Sequence, residues 1–212
     1  MIWLFDLDNT LHQADFGIFD LINREMTAYL MQHLSLPEKE ASDLRQKYWN
    51  LYGATLAGLE KHHPQIDIND FLRASHPEEE VRRLLVAETH LPQNLMRIKG
   101  RKAIFSNGPS FYVQNVAQSL SIQHLFTDLF GCDRFDFLYK PHEKSYSSVC
   151  RQMKVLPEDC IMVDDNAENL RTAKKSGMKT ILFGHSDSDL PFIDDTAENM
   201  QNLADKYGDK IL

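Results

Sequence analysis

The stretch IWLFDLDNT, residues 2 to 10, constrains this chain more than any other. Four apolar residues run directly into two carboxylates, Asp6 and Asp8, separated by one residue. Successive side chains of a strand point to opposite faces, so a run apolar at every position suits a strand covered on both faces, as in a parallel α/β sheet. Carboxylates crowded at the tip of such a strand raise one another's pKa, and a cation relieves that repulsion. The rest of the chain has to supply or bind that positive charge.

Similar short apolar runs recur at 102–105, 161–163 and 180–183, with helical patterns between them. Strands alternating with helices predict an α/β fold, a Rossmann-like doubly wound parallel sheet. GRKAIFSNGPSFYVQNVAQSL reads as strand, Gly-Pro loop and helix, and DCIMVDDNAENLRTAKKSGMKTILFG as a second such unit closed by Gly177. Residues 14–95 differ. Ile22, Met26, Tyr29, Leu30 and His33 recur at helical spacing, as do Ala41, Leu44, Tyr48, Leu51 and Tyr52 behind the helix-starting Pro37. Further helices are expected at 55–63, 70–74 and 78–88. The predicted organisation is therefore a core of residues 1–13 and 96–212 with an all-helical insertion at 14–95. The acidic run HSDSDLPFIDDTAENM lacks the ligand order of an EF-hand and reads as a solvated loop leading to a helix at 197–207.

A net charge of -8 argues against a nucleic-acid polymer or an acidic membrane as partner, since both require a clustered positive field. No apolar run approaches a membrane span and the N-terminus has no signal-peptide pattern. Cys132, Cys150 and Cys160 form no CxxC pair, which fits buried, reduced thiols in a cytoplasmic protein.

In open parallel sheets, ligands bind beyond the carboxyl ends of the strands. There the predicted strands end in Asp6, in Ser106 and Asn107, and in Asp164 and Asp165, with Lys140 in a loop before another helix. A donor set of hard carboxylate oxygens favours Mg²⁺. Mg²⁺ and a lysine beside a carboxylate describe a site for phosphoryl transfer, with Asp6 as nucleophile and with Ser106 and backbone N–H groups near Asn107 and Gly108 holding phosphoryl oxygens.

The segments DLDNT, FSNG, YKP and MVDDNAEN occur in the order and approximate spacing of four motifs, and on them the chain resembles the haloacid dehalogenase-like hydrolase superfamily. The resemblance implies that Asp6 is the nucleophile and that Asp8 is the general acid and base, lending its carbonyl to the metal. It implies that Thr10, Ser106 and Lys140 position the phosphoryl group, and that Asp165 ligates magnesium. Asn169 stands where many members carry a second acid, which shifts the second metal carboxylate toward Asp164. Asp8 favours phosphatase or phosphomutase chemistry over dehalogenation, because an alkoxide leaving group needs a proton and a halide does not.

The helical insertion resembles the small cap domain of the first subclass, which closes over the phosphate site. KYWNLYGATLAGL, with FDLDNTLH and INREMTAYL, resembles the pyrimidine 5'-nucleotidase branch, which implies UMP or CMP as substrate and Tyr48, Tyr52, Thr55 and His62 as nucleoside contacts. Other readings stand beside these. The substrate could be a sugar phosphate, or the fold could bind a phosphorylated metabolite without turnover. Asp165 could cap a helix. Tyr48, Trp49 and Tyr52 could simply pack between helices, and the adjacent His62 and His63 could be solvated polar positions.

Overall fold

The structure, a computed structural model, describes residues 1–208. The chain forms two compact units: Met1–Ala14 with the described residues from Leu85 onward, and Asp15–Leu84.

The first unit is built on six parallel strands: β1 (Ile2–Phe5), β2 (Arg101–Phe105), β3 (Asp128–Phe130), β4 (Cys160–Asp164), β5 (Lys179–Phe183) and β6 (Asp195–Ala197). Their order in the sheet is β3-β2-β1-β4-β5-β6. The strands β1, β2, β4 and β5 cover the four apolar runs seen in the sequence. The edge strands β3 and β6 are three residues each, too short to carry a legible period, and short edges limit pairing with other chains.

Chain order fans out from β1 through β2 to β3, then returns to β1's other side at β4. The switch point of the sheet thus lies at the carboxyl ends of β1 and β4, where an open α/β sheet has its ligand crevice. Register then sets the site. Phe5 lies opposite Val163 on β4 and Ile104 on β2, so the next residue of β1's path, Asp6, comes level with Asp164. The Asp6 N–H donates to the Val163 carbonyl at 2.9 Å, and the Ser106 N–H to the Phe130 carbonyl at 3.0 Å.

β1 is apolar throughout because it is covered on both faces. Ile2 and Leu4 join Ala103, Phe105, Met162 and Tyr146 in one buried cluster, with side chains from the helices that follow β3 and β4. Trp3 and Phe5 stack with centroids 6.0 Å apart, and Trp3 meets Tyr207 edge-on at 5.3 Å. Cys132, Cys150 and Cys160 are buried free thiols.

The second unit contains α1 (Ile18–Leu34), α2 (Glu38–Tyr52), α3 (Thr55–His62), α4 (Ile68–Ser75) and α5 (Glu78–Leu84), with no strand among its residues. Glu38 and Glu40 in the first turn of α2 complement the helix dipole. The Tyr29 hydroxyl donates to Asp70 at 2.9 Å, tying α1 to α4.

Two expectations require correction. The helical segment does not extend to residue 95. Residues 85–95 lie with the α/β unit, because the Gln13 N–H donates to the Val86 carbonyl and the Glu88 carboxylate accepts from the Met200 N–H at 2.9 Å. There α6 (Leu91–Arg97) packs on the last helix, which starts at Met200 behind an Asn199 cap. The acidic run is a solvated loop only in part: residues 184–191 are mostly exposed, but the second half is tied to the sheet and the last helix. Asp194 accepts from the Thr180 N–H at 2.9 Å, the Thr180 hydroxyl donates to the Phe192 carbonyl at 2.6 Å, and Asp195 accepts from Lys206 and Tyr207. No helix of the described residues is long and apolar enough to cross a membrane.

After β3, Gly131 permits a close backbone approach. A Cβ there would lie 2.2 Å from the Ser110 nitrogen and 2.7 Å from the Gly108 carbonyl oxygen. That approach lets the Cys132 N–H reach Gly108 and the Ser110 N–H reach Asp133, pinning the loop after β2. Gly131→Ala is therefore expected to destabilise the fold by about 1–3 kcal/mol, as overpacking does. A urea midpoint equal to that of the wild type would show that this contact relaxes without cost.

Candidate active site

Lys140 occupies the centre of the switch point. Its ammonium is buried and lies 2.6 Å from Asp6 Oδ1 and 2.7 Å from Asp164 Oδ2, over the ring of Phe105. Burial alone would draw its pKa down, but Asp164 and Asp6 more than reverse this and keep it protonated. Its backbone is clasped by Asn107, whose Nδ2 donates to the Lys140 carbonyl at 2.9 Å and whose Oδ1 accepts from the Lys140 N–H at 2.7 Å. The side chain of Asn107 thus places Lys140, while the phosphate-binding expectation for this stretch concerned its backbone N–H groups. The Gly108 N–H donates to Ser106 Oγ at 3.0 Å, which brings two of the expected phosphate-binding groups together. Thr10 Oγ1 lies 3.5 Å from Asp6 Oδ2, at the outer limit of a hydrogen bond.

The two carboxylates ending β4 have different surroundings. Asp164 is fully buried and accepts from Lys140, from the Asn166 N–H at 2.9 Å and from Asn169 Nδ2 at 3.0 and 3.1 Å. The departure at Asn169 therefore supplies Asp164, the expected second metal carboxylate, with a donor. Asp165 is not the helix cap. Asn166 caps the helix Ala167–Lys175, accepting from the Glu168 and Asn169 N–H groups. Burial, reinforced by Asp164, pushes the Asp165 carboxyl up to about 6 against the pull of Lys140.

One oxygen from each of Asp6, Asp164 and Asp165 lies within 4.8 Å of the others. Burial pushes Asp6 well above the usual carboxylate range, and Asp164, Asp8 and Asp165 add to this while Lys140 opposes it. Three carboxylates facing one ammonium form a hard-oxygen donor set with unbalanced negative charge, which fits a divalent cation such as magnesium. Asp6 and Asp165 are the members least engaged with protein donors.

Asp8 leaves this cluster for a second one. His12 Nε2 lies 2.9 Å from Asp8 Oδ1, and the Tyr112 hydroxyl donates to the same oxygen at 2.5 Å. Asn9, at φ 60, turns the chain between Asp8 and His12 in the left-handed conformation that Asn adopts more readily than most residues. Burial first, then Asp8, raises the Tyr112 hydroxyl well above its ordinary pKa. Sequence reasoning missed both partners. The spacing of Asp8 and His12 was available as a signal, whereas Tyr112, 104 residues from Asp8, carried none.

In the helical unit the expected nucleoside contacts separate into two kinds. Tyr48 and Thr55 are each 5% exposed, and their hydroxyls are used internally, with His63 at 2.8 Å and the Arg45 carbonyl at 3.2 Å. These two are interior residues of the bundle. The Tyr52 hydroxyl lies 2.7 Å from His62 Nε2 in an exposed pair. Each adjacent histidine thus meets a tyrosine, His62 at an exposed position and His63 at a half-buried one.

Residues 2–177 match the model of the haloacid dehalogenase-like hydrolase family, and the chain belongs to that family. Phosphate metabolism protein 8 of Saccharomyces cerevisiae is 25% identical over 197 residues, which cover 85% of this chain and 60% of that protein. Phosphoglycolate phosphatase of Colwellia psychrerythraea is 30% identical over 81 residues, 38% of this chain and 35% of that protein. The chain spans less than two thirds of the length of these curated relatives. Among solved structures, a HAD phosphatase from Thermococcus onnurineus superposes with a TM-score of 0.70 at 17% identity, covering 100% of this chain and 99% of that one. CbbY from Rhodobacter sphaeroides, in complex with phosphate, gives 0.66 at 18% identity, with 95% of each chain covered. These likenesses establish the fold.

The raised Asp165 carboxyl makes a prediction with a definite sign. Ordinarily near 3.8 and about 6 when folded, the group disfavours the folded state above pH 6, and this cost fades as pH falls toward 4. In chelator, Asp165→Asn is expected to melt above the wild type at pH 8, with the gap closing by pH 4. Parallel melting curves across this range would contradict the assigned environment.

Proposed function

We propose that this protein is a magnesium-dependent phosphatase that hydrolyses pyrimidine nucleoside 5'-monophosphates through an aspartyl-phosphate intermediate. The observation that carries the reading is the joint placement of Asp6 against the buried Lys140 ammonium and of a second carboxyl, Asp8, in its own hydrogen-bonded setting two residues on. Asp6 attacks phosphorus, and the leaving alkoxide takes a proton from Asp8. Asp8 then accepts a proton from the water that cleaves the aspartyl phosphate. Lys140 and Ser106 hold phosphoryl oxygens as charge develops. Asp6 and Asp165, with the Asp8 carbonyl, are the groups that would hold the metal, which when bound supplies positive charge to the phosphoryl group.

The name of the yeast relative, a phosphate metabolism protein, agrees with phosphate-ester chemistry, and the phosphoglycolate phosphatases add a small acid phosphate as a second substrate to examine. The cap-motif resemblance supports the pyrimidine choice, and in this reading Tyr52 and His62 serve substrate selection. A cytosolic location belongs to the same proposal, in keeping with the three free thiols.

Phosphate release would be measured with Mg²⁺ on UMP, CMP, AMP, GMP, phosphoglycolate and sugar phosphates. Selective turnover of UMP or CMP is expected, lost in chelator and reduced roughly 10³-fold or more in Asp6→Asn. Turnover confined to phosphoglycolate or sugar phosphates would keep the chemistry and reject the nucleotide assignment. Tyr52→Ala is expected to raise the KM for UMP about 5- to 150-fold, the equivalent of losing one base stack. An unchanged KM would remove Tyr52 from the substrate contacts.

A further inference from the structure

We propose that Tyr112 and His12 are positioning residues that orient the Asp8 carboxyl and direct its proton onto Oδ2, so that it faces the leaving group. The inference rests on the reading of Asp8 as the general acid and assigns work to two side chains that the family motifs do not include.

Both groups converge on a single oxygen. The Tyr112 hydroxyl donates to Asp8 Oδ1 at 2.5 Å, His12 Nε2 lies 2.9 Å from that oxygen, and the two partners are 3.4 Å apart. Tyr112 and His12 are each 2% exposed. His12 Nδ1 is buried without a hydrogen-bond partner, which fixes the sense of the contact. With the proton on Nδ1, a donor would be orphaned in the interior while an Nε2 lone pair faced a carboxylate oxygen. With the proton on Nε2, the ring donates to Asp8 and only an acceptor lone pair is left over.

An oxygen that accepts two hydrogen bonds takes the carbonyl role in the acid form of a carboxyl group. A proton on Oδ1 would point at the Tyr112 and His12 hydrogens, so the acid carries it on Oδ2. In the chemical step, the Oδ2–H bond breaks as the leaving oxygen forms its O–H bond and departs from phosphorus, and Asp8 is left as a carboxylate. The two donors stabilise that anion on Oδ1, and no other reactant is required.

The local chain is built for this arrangement. A short parallel bridge links Asp8 with His12 around the left-handed Asn9. Tyr112 lies in the first turn of α7 (Ser110–Ser119), directly after the FSNG segment, and a Cβ on Gly108 would come within 2.7 Å of its ring. Glycine at this position of the loop leaves the space that the ring occupies. A core tyrosine or histidine with no such duty could be replaced by an apolar residue of similar shape, with no polar atom to satisfy.

Leaving-group dependence separates this role from a purely structural one. 4-Nitrophenolate departs without a proton, whereas an alkoxide does not, and general acid catalysis typically contributes about 10²- to 10⁴-fold. Tyr112→Phe and His12→Leu are expected to lower kcat on UMP or glycerol phosphate by about 10- to 100-fold, with KM little changed. The pre-steady-state burst of 4-nitrophenolate from 4-nitrophenyl phosphate, which reads phosphoryl transfer to Asp6 before Asp8 acts as base, should stay within about threefold of the wild-type rate. His12→Gln, whose amide retains a donor near the Nε2 position, should recover part of the loss seen in His12→Leu. Equal losses in UMP turnover and in the 4-nitrophenolate burst, or no loss in either, would overturn the proposal while leaving Asp8 as the acid. If Asp8→Asn itself shows no dependence on leaving group, or the wild type releases no phosphate, the underlying reading fails and the positioning role fails with it. Should Tyr112→Phe fail to fold, the His12→Gln and His12→Leu comparison decides the matter alone.

Discussion

A buried ammonium wedged between two carboxylates organises this protein. Withdrawing a lysine from water costs several kcal/mol, which only close and well-directed partners can offset. Lys140 has them in Asp6 and Asp164, at 2.6 and 2.7 Å. Because those two aspartates end β1 and β4, the ion triplet joins the two sides of the sheet where its strand order reverses. Removing one partner of such a buried set would strand charge at a cost of about 3–5 kcal/mol, so the geometry that readies Asp6 also holds the crevice together. The Asn107 clasp on the Lys140 backbone serves the same end, since a loop residue gains its precision from whatever fixes the loop.

Around this centre, four aspartates with the same side chain are separated by environment. Asp164 is tied to Lys140, Asn166 and Asn169 and acts as an internal strut. Asp165 and Asp6 are raised by burial and by their neighbours, the condition under which a divalent cation is most stabilising. Asp8 turns away to a tyrosine and a histidine. Dividing carboxylates among such settings lets one chemical group carry the different roles proposed for it, nucleophile, acid and metal ligand, beside that of a strut.

The sequence by itself determined the central sheet and the main chemical groups. β1, β2, β4 and β5 were legible because strands covered on both faces must be apolar at nearly every position, and Asp6, Asp164 and Asp165 were legible because each ends such a run. The helical segment was legible from its period. Tertiary structure alone decided which polar atoms meet. It placed Asn169 on Asp164 and Tyr112 on Asp8, drew Tyr48 and Thr55 into the bundle, and kept residues 85–95 with the sheet through Glu88 and Val86. It also formed β3 and β6, which gain their order by pairing with β2 and β5 rather than from their own three residues. The physical reason is common to these cases. Hydrophobic burial is encoded by local pattern along the chain, whereas a hydrogen bond or ion pair depends on which distant segments that burial brings within about 3 Å of each other.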